Sequence, residues 1–184
     1  MFIQPNKVSS SFMDPQKIVD SFGIDSGSIV ADFGSGAGYF VIPLAKAVKS
    51  KGKIFAVDIL PSALEVIDKK AKMENLINIE LVQADLEKEN STKIIDSSVD
   101  FVVISNLLFQ LENKANIFRE AKRVLKSGGK LIVIDWAGGK IVLGPPEENR
   151  VTEDQVQIAA TISGFKQIKQ WHPDAYHYGF IFIK

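Results

Sequence analysis

The residues best suited to chemistry in this chain are an acid and three glycines that close a short apolar run. Asp32 lies at the end of the run, and Gly34, Gly36 and Gly38 follow at alternate positions. Glycine reaches positive φ and lets a ligand approach the backbone without meeting a Cβ. A helix-like segment over 39–48 comes next, and the N-terminus of a helix offers unpaired N–H groups. The pattern therefore predicts a strand, a ligand-binding turn and a helix.

The spacing of the glycines separates two kinds of nucleotide site. A dinucleotide-binding turn has the pattern G-x-G-x-x-G, in which the third glycine packs the helix on the strand. That third glycine would be residue 39, which is Tyr39. The spacing thus argues against a nicotinamide-dependent oxidoreductase. A glycine-rich turn that binds no ligand is the other interpretation of these residues.

Polar residues also follow the other apolar runs that predict strands. In a doubly wound sheet, ligands bind beyond the carboxyl ends of the strands, near the point where the strand order reverses. Acids at four of five such ends would surround one crevice with hydrogen-bond acceptors and negative potential, which suits a cationic ligand with a ribose and an adenine amino group. The predicted strands and their end residues are 29–33 with Asp32, 53–57 with Asp58, 79–83 with Asp85, 99–104 with Asn106, and 131–135 with Asp135.

Helices are predicted between the strands from apolar periodicity and capping residues. Asp14 caps the first helix, and capping boxes at Ser62…Glu65 and Thr152…Gln155 open the third and the last. A C-cap turn at Ser127-Gly128-Gly129 ends the fourth. The predicted helices are 15–22, 39–48, 61–73, 114–125 and 152–163.

The last part of the chain departs from the alternation of strands and helices. A long loop over 137–151 precedes the last helix, and strands over 165–171 and 178–183 follow it. The segment between these two strands is too short for a crossover helix, so they pair antiparallel. The sequence predicts an α/β fold, a doubly wound seven-stranded mostly parallel sheet with an antiparallel C-terminal hairpin and helices on both faces. One domain of 184 residues comprises an N-terminal arm and helix (1–27), a cofactor-binding βα core (28–136) and a substrate-side C-terminal part (137–184).

Composition excludes several classes of site. The chain has no cysteine, so disulfides, thiolate zinc sites and thiol nucleophiles are absent, and two histidines alone do not build a metal site. The 22 basic and 22 acidic residues balance, which argues against a dedicated nucleic-acid surface but leaves room for a local patch. No apolar run reaches the roughly 18 residues of a membrane span, and no secretion signal is visible. We therefore expect a cytoplasmic protein without a metal; nothing in the sequence specifies an oligomeric state.

The pattern Asp-x-Gly-x-Gly-x-Gly at 32–38 resembles motif I of the class I S-adenosylmethionine-dependent methyltransferases. The resemblance extends over about residues 14–184. It includes the run Leu-Lys-Ser-Gly-Gly-Lys-Leu at 125–131, which is similar to the "LKPGG" turn of that family with Ser127 in place of proline. The resemblance implies a Rossmann-like fold and S-adenosylmethionine as the cofactor.

The resemblance also implies a role for each residue of the predicted crevice. The glycine turn would wrap the amino-acid part of the cofactor, with Asp32 near its ammonium group. Asp58 would bind both ribose hydroxyls, and Asn106 would lie near the methionyl part. At the adenine end, Ile59 would lie against the ring, and Asp85, followed by Leu86, would take the exocyclic amine.

Each polar residue also has a purely structural interpretation. Asp58 could cap the next helix, Asp32 could hold the amides of the turn, Asp85 could be a solvated loop acid, and Asn106 could form an Asx-turn.

The reaction requires a base only if the nucleophile starts protonated, because the bound sulfonium is already a strong electrophile. No motif supplies a base, and residues 106–109 read Asn-Leu-Leu-Phe rather than the Asn-Pro-Pro-Tyr of amide and adenine N-methyltransferases. His177 is the only candidate base, with packing as its alternative role. Substrate determinants are expected in the arm through Asp14, in the loop 136–151 and in the hairpin tip 172–177.

These observations favour a methyltransferase that acts on a small molecule. The overall pattern is similar to small stand-alone enzymes grouped with quinone-biosynthesis C-methyltransferases. The alternatives are a protein or RNA methyltransferase, for which Lys46, Lys49, Lys51 and Lys53 would form a basic rim, and a non-catalytic S-adenosylmethionine-binding accessory subunit. The sequence leaves open whether carbon, nitrogen, oxygen or sulfur is methylated.

Overall fold

Seven strands form one sheet in the computed structural model, which describes residues 12–139 and 143–184. In chain order the strands are β1 Ile29–Phe33, β2 Lys53–Asp58, β3 Ile79–Gln83, β4 Val99–Ser105, β5 Leu125–Trp136, β6 Lys166–Trp171 and β7 His177–Ile183. Their order across the sheet is β3-β2-β1-β4-β5-β7-β6. The helices are α1 Pro15–Asp20, α2 Val41–Val48, α3 Pro61–Met73, α4 Lys114–Val124 and α5 Glu153–Ile162, with short 3₁₀ turns at Leu108–Gln110 and Glu147–Asn149.

The strand directions place the carboxyl ends of β1 to β5 at one edge of the sheet. The five strands β1 to β5 run parallel, and β7 runs antiparallel to both β5 and β6. Asp32 of β1 lies in register with Ala56 on one side and Val103 on the other. Since β7 is reversed, its first residue, His177, pairs with Trp136, the last residue of β5. The predicted fold class is confirmed.

Two apolar layers cover the two faces of the sheet. One layer packs α4 and α5 against it, and the other packs α1, α2 and α3 against the opposite face. The alternation of side chains along a strand divides β7 between them, because Tyr178 and Phe180 belong to the first layer and Ile181 to the second. Central strands covered on both faces explain the continuous apolar runs of the sequence. Within the described residues, no helix has the length and apolar content needed to cross a membrane.

Two of the three predicted N-terminal caps are confirmed. Asp14 accepts hydrogen bonds from the amides of Gln16 and Lys17, and Thr152 and Gln155 form a reciprocal capping box at α5. The capping box predicted at Ser62…Glu65 is wrong. Helix α3 begins at Pro61, after an extended Leu60 without a side-chain cap. Because proline takes the first helical position, Ser62 already lies inside the first turn.

The C-cap turn predicted at Ser127-Gly128-Gly129 is also wrong. Helix α4 ends at Val124, and β5 begins at the next residue and runs through both glycines. The Gly128 amide donates to the Lys184 carbonyl at 3.3 Å, and the Lys184 amide donates to the Gly129 carbonyl at 2.9 Å. These partners hold the segment as an irregular strand.

The other predicted bounds agree with the structure within about two residues, apart from the early start of β5. The predicted arm before Phe12, and residues 140–142 of the predicted loop, lie outside the described residues.

Candidate functional site

A cavity of about 510 Å³ opens at the carboxyl edge of the sheet, where the strand order reverses between β1 and β4. Nine residues were predicted to bind a cofactor, and all except Gly38 line this cavity. A Cβ on Gly38 would lie 3.0 Å from Cγ1 of Ile67, so this glycine faces α3. The predicted residues that the cavity brings together are Asp32, Gly34, Gly36, Asp58, Ile59, Asp85, Leu86 and Asn106.

The two glycines at the cavity have different local surroundings. Both have positive φ, +74° at Gly34 and +49° at Gly36. A Cβ on Gly34 would lie 2.5 Å from a methyl carbon of Leu107, whereas a Cβ on Gly36 would meet no atom within 4 Å. Gly34 is therefore required by close packing inside the protein, and Gly36 presents bare backbone to the cavity.

Asp58 links the glycine turn to the start of α3. Its Oδ2 accepts a hydrogen bond from the Gly36 amide at 2.8 Å, and its Oδ1 accepts one from the Leu60 amide at 2.9 Å. The side chain therefore serves the structural role that the sequence left open. A carboxylate has about four lone-pair sites, so both oxygens retain capacity for further donors from the cavity.

Asp32 is a buried acid with no charge partner. It is 3% exposed, and within the described residues its carboxylate neither accepts a hydrogen bond nor meets a cation. Burial, and then repulsion from Asp58, raise the pKa of Asp32 from 3.8 to about 7. A cation entering the cavity would stabilise the ionised form. The alternative role of Asp32 in holding the amides of the turn is not seen, since Asp58 binds the Gly36 amide.

Two polar side-chain atoms at the cavity are buried without a partner among the described residues. They are Oγ of Ser35 and Oδ1 of Asn106. Asn106 has a left-handed backbone with φ of +51°, and its amide donates to the Ile134 carbonyl at 2.9 Å. An Asx-turn would engage Oδ1, which it does not. Leaving a polar group buried and unpaired costs about 1–3 kcal/mol, so both atoms are suited to a ligand.

The opposite end of the cavity combines one acid with apolar walls. Asp85 is partly exposed, and its Oδ1 accepts from the Glu87 amide at 3.0 Å. Its Oδ2 lies 3.2 Å from Nζ of Lys88, an exposed ion pair of little energetic weight. Ile59, more than half exposed, and the buried Leu86 flank this acid. The arrangement offers a flat apolar slot with a hydrogen-bond acceptor at its edge.

The charge of the cavity has one sign. Of the described residues that line it, four are acidic and none is basic; the acids are Asp32, Asp58, Asp85 and Glu87. An unpaired acid, two orphaned polar atoms and an open glycine backbone together fit a cationic amino acid joined to a nucleoside. Elsewhere in the described ranges, no group of three or more histidine or acidic side chains is placed to hold a metal ion.

His177 lies beside the cavity rather than in its wall. The residue is fully buried at the start of β7, and its Nδ1 is 2.9 Å from Oδ1 of Asp174. Its ring centroid lies 4.3 Å from that of Trp136 and 5.5 Å from that of Phe12. Burial lowers the pKa of His177, against the smaller opposing effect of Asp174. Sequence reasoning missed Asp174, although an acid three residues before the only candidate base was a visible signal.

The other residues at and beside the hairpin tip do not gather at the cavity. Trp171 packs against Phe22 with ring centroids 6.4 Å apart, and His172 pairs at 3.3 Å with Glu153 on the surface. No described lining residue lies between 136 and 178, so neither the hairpin tip nor the described part of the loop lines this cavity. The N-terminal arm does contribute, through Phe12.

The strand order, the switch-point cavity and its acids define a class I S-adenosylmethionine-dependent methyltransferase domain. Residues 24–177 match the family model described as "Methyltransferase domain". The chain belongs to this methyltransferase family.

Relatives and solved structures agree with this assignment. A ubiquinone/menaquinone biosynthesis C-methyltransferase UbiE from Haemophilus ducreyi is 33% identical over 120 residues, which cover 65% of this chain and 45% of that protein. The chain thus spans about half the length of the curated relatives it matches. A SAM-dependent methyltransferase from Aquifex aeolicus superposes with a TM-score of 0.86 at 28% identity, covering 93% of this chain and 89% of that one. A putative type 11 methyltransferase from Sulfolobus solfataricus gives 0.74 at 26% identity, covering 94% and 92%.

Proposed function

We propose that this enzyme methylates an uncharged, planar small molecule bound beside the cofactor in the cavity at the switch point. The observation that carries the proposal is the lining of that cavity, in which acids are concentrated and basic residues are absent from the described wall. An acceptor with a phosphate or a carboxylate would find no basic side chain among the described residues of this lining. Like charges brought together in a partly buried site cost several kcal/mol, so an anionic acceptor is disfavoured.

The residues of the cavity would divide the cofactor among them. Asp32 would neutralise the methionyl ammonium, and the free lone pairs of Asp58 would accept from the ribose hydroxyls. Ile59 and Leu86 would enclose the adenine, with Asp85 accepting from its amino group. Oδ1 of Asn106 and Oγ of Ser35, orphaned in the structure, would gain donors or acceptors near the methionyl part. When bound, the cofactor supplies an electrophilic methyl group; the protein's share of catalysis is to align the nucleophile with it.

The acceptor would enter at the aromatic side of the cavity. Tyr39, Leu107 and Leu111 line this side. Tyr39 is 44% exposed, and its hydroxyl donates to the Met13 carbonyl, which fixes the ring at the junction of the arm and the glycine turn. Flat rings pack well against such walls, and aromatic contacts contribute about 0.5–1.5 kcal/mol beyond the buried area. The named relatives act in quinone biosynthesis, which agrees with a ring-shaped acceptor.

The alternative of a protein or RNA acceptor finds less support. Lys53 begins β2, so the lysines before it lie at the amino edge of the sheet, opposite the cavity. Lys46 forms an ion pair with Glu74. Lys53 forms another with Glu80, in which Nζ lies 2.5 Å from Oε2. A rim that is half neutralised and on the wrong edge does not guide a polyanion to the site. A cytoplasmic location remains a prediction from the sequence.

Calorimetry followed by an acceptor screen tests the proposal. S-adenosylhomocysteine should bind and raise the melting temperature, whereas NAD should do neither. Radiolabelled S-adenosylmethionine is then offered with four pools, namely naphthols and hydroquinols, amines, aromatic carboxylates, and total RNA with protein. Label transfer to the first pool is expected. Transfer only to carboxylates or to macromolecules would overturn the acceptor class, and binding of S-adenosylhomocysteine without transfer to any pool would favour the accessory-subunit alternative.

A further inference from the structure

The pair formed by Asp174 and His177 is the feature of the structure that the cofactor site leaves unexplained. We infer that this pair is the proton acceptor of the reaction, and that the methyl acceptor is a hydroxylated ring that takes the place of Phe12 against His177. The inference rests on the proposed function and deepens it, since it assigns the acceptor a hydroxyl group and assigns its proton a destination.

The geometry of the pair fixes the tautomer of the histidine. Nδ1 of His177 lies 2.9 Å and 3.1 Å from the two carboxylate oxygens of Asp174. Oδ1 of Asp174 also accepts from the amides of Tyr176 and His177, at 2.7 Å and 2.9 Å. Both side chains are almost fully buried. The carboxylate accepts only, so Nδ1 carries the proton and Nε2 presents a lone pair.

Nε2 of His177 is buried and has no hydrogen-bond partner among the described residues. A histidine kept only for packing would be better replaced by an apolar ring, because a buried unpaired acceptor costs about 1–3 kcal/mol. An oriented imidazole with a free Nε2 is instead the arrangement of a general base held by a carboxylate. The unpaired atom points to a donor that arrives with a ligand.

The position of His177 in the sheet suits an acceptor site next to the cofactor. The strand order is β1-β4-β5-β7, so the start of β7 is three strands from Asp32 and two from the end of β4, where Asn106 follows. At a spacing of ~4.8 Å per strand, these separations are roughly 14 Å and 10 Å. A ring that extends from the methyl-transfer region toward β7 spans the second distance.

Phe12 already occupies the space between the cavity and His177. Its ring meets the His177 ring edge to face and lies 6.3 Å from the Trp136 ring, centroid to centroid. The same side chain lines the cavity and is 47% exposed. A flat six-membered ring therefore fits here, and its other walls are aromatic. Phe12 marks the place that an acceptor ring would take.

One proton passes from the acceptor to His177 for each methyl group that is transferred. Nε2 of His177 takes the hydroxyl proton. A lone pair of the acceptor oxygen, or the π electrons at the activated ring carbon, form the bond to the methyl carbon, and the electrons of the carbon–sulfur bond stay on sulfur. Asp174 stabilises the resulting imidazolium. In O-methylation the imidazolium then releases its proton to water. In C-methylation it returns that proton to oxygen, and the ring carbon loses its own, so one proton leaves in either case.

Among the described residues, Asp174 is the charged group that faces His177, and it favours the protonated state once that state is needed. Asp135 of β5 lies in register with Tyr178 rather than with His177. Burial opposes Asp174 and lowers the pKa of His177, so the ring is neutral in the resting enzyme. Tyr39, whose pKa is raised by burial and then by Asp14 and Asp174, remains a neutral phenol and does not compete as a base.

The first test combines kinetics with a matched control, because the chain has only two histidines. His177→Gln should lower kcat at least 100-fold on the acceptor found in the screen, while the dissociation constant of S-adenosylhomocysteine changes less than threefold. His172→Gln, on the exposed surface, should leave both unchanged. Asp174→Asn should lower kcat with little change in KM and move the acid limb of the pH–rate profile to lower pH. Full activity in His177→Gln, with cofactor binding intact, would refute the proton acceptor and leave the proposed function standing.

The second test needs no turnover and covers the case in which His177→Gln does not fold. The wild-type protein with S-adenosylhomocysteine is titrated with 2-naphthol, and the imidazole ¹⁵N signals are followed by NMR. The His177 Nε2 signal should shift and the His172 signals should not. Phe12→Ala should bind 2-naphthol at least fivefold more tightly, because the ring no longer competes for the place. Binding that leaves Nε2 unchanged, or failure of 2-naphthol to bind when S-adenosylhomocysteine does, would overturn the inference.

Discussion

Replacing Asp32 by asparagine should make the protein more stable and less able to bind its cofactor. The pKa of Asp32 rises from 3.8 to about 7 in the folded chain, chiefly by burial. At 1.36 kcal/mol per pKa unit, the ionised carboxylate destabilises the native state by about 4 kcal/mol at pH above 7. The penalty is absent below pH 3.8, grows as the pH rises toward 7, and is constant above it. Asp32→Asn removes the charge and therefore the penalty.

The pH dependence of the gain in unfolding free energy is the quantity that tests the role of Asp32. An asparagine buried at this site also lacks partners, which offsets about 1–3 kcal/mol of the gain at every pH. The difference between the gain at pH 8 and the gain at pH 4.5 does not contain that cost, and it should be about 3 kcal/mol. Urea unfolding of the wild type and the variant across this range measures it. Asp58→Asn is the matched control, and it should destabilise at both pH values because Asp58 accepts two backbone hydrogen bonds.

Binding of S-adenosylhomocysteine should also report the ionisation of Asp32. A ligand with an ammonium group lowers the pKa of Asp32, so binding of S-adenosylhomocysteine between pH 6 and 7 should release protons, detectable by calorimetry in buffers of different ionisation enthalpy. Asp32→Asn should lose this release and bind at least tenfold more weakly. A variant that is no more stable at pH 8 than at pH 4.5, relative to the wild type, would show that Asp32 is not ionised against its surroundings and would refute the reasoning.

Three further predictions concern the turn and the core. Asp58→Ala should weaken S-adenosylhomocysteine binding at least tenfold by calorimetry and lower stability by about 1–3 kcal/mol, because two backbone amides lose their acceptor; an unchanged dissociation constant would assign Asp58 to the turn alone. Gly36→Ala and Gly128→Ala both place a methyl at positive φ in open space and should each cost about 1–2 kcal/mol in urea unfolding, but only Gly36→Ala should abolish binding; equal binding by the two variants would move the ligand away from the turn. Glu120, whose pKa is lowered by hydrogen bonds from Arg123 against the opposing effect of burial, stabilises the fold above its unfolded pKa and loses this effect in acid, so Glu120→Gln should destabilise at pH 7 and have a smaller effect near pH 3; an equal loss at both values would contradict this.

Local rules explain why eight of the nine residues predicted to bind the cofactor lie at one cavity. The apolar residues 29–31 lead to Asp32 without a polar interruption. The alternating glycines after it have positive φ in the structure, as the turn requires. Each acid at a strand end then reaches the same edge because the strands are parallel. Gly38 shows the limit of the motif, since its spacing resembles that of the other two glycines but its reason is the packing of Ile67.

The errors arose where distant residues decide the local structure. The segment 125–131 contains two glycines after a helix and resembles a C-cap turn, but hydrogen bonds to Lys184 extend it as strand β5. The residues at the hairpin tip were predicted together as substrate determinants, yet alternate residues of a strand point to opposite faces. Tyr178 thus donates to the Val151 carbonyl in one layer, while His177 faces Phe12 beside the other.

The cofactor side and the acceptor side of the site differ in how far a sequence motif identifies their ligands. The cofactor side has a motif, because a nucleoside and an amino acid must be bound by backbone and by acids at fixed strand ends. The acceptor side has none, since a ring can be enclosed by any apolar residues, and Phe12 and His177 are 165 residues apart in the chain. The acceptor side is identified instead by an unpaired atom. This atom is the buried Nε2 of His177, whose orientation is fixed by Asp174 and whose lone pair has no described partner. Asp32 is the corresponding feature of the cofactor side, a buried acid with no counter-charge among the described residues. Because folding alone would not favour either one, both identify the chemistry of the molecules that complete the site: a cation at β1 and a hydroxyl group at β7.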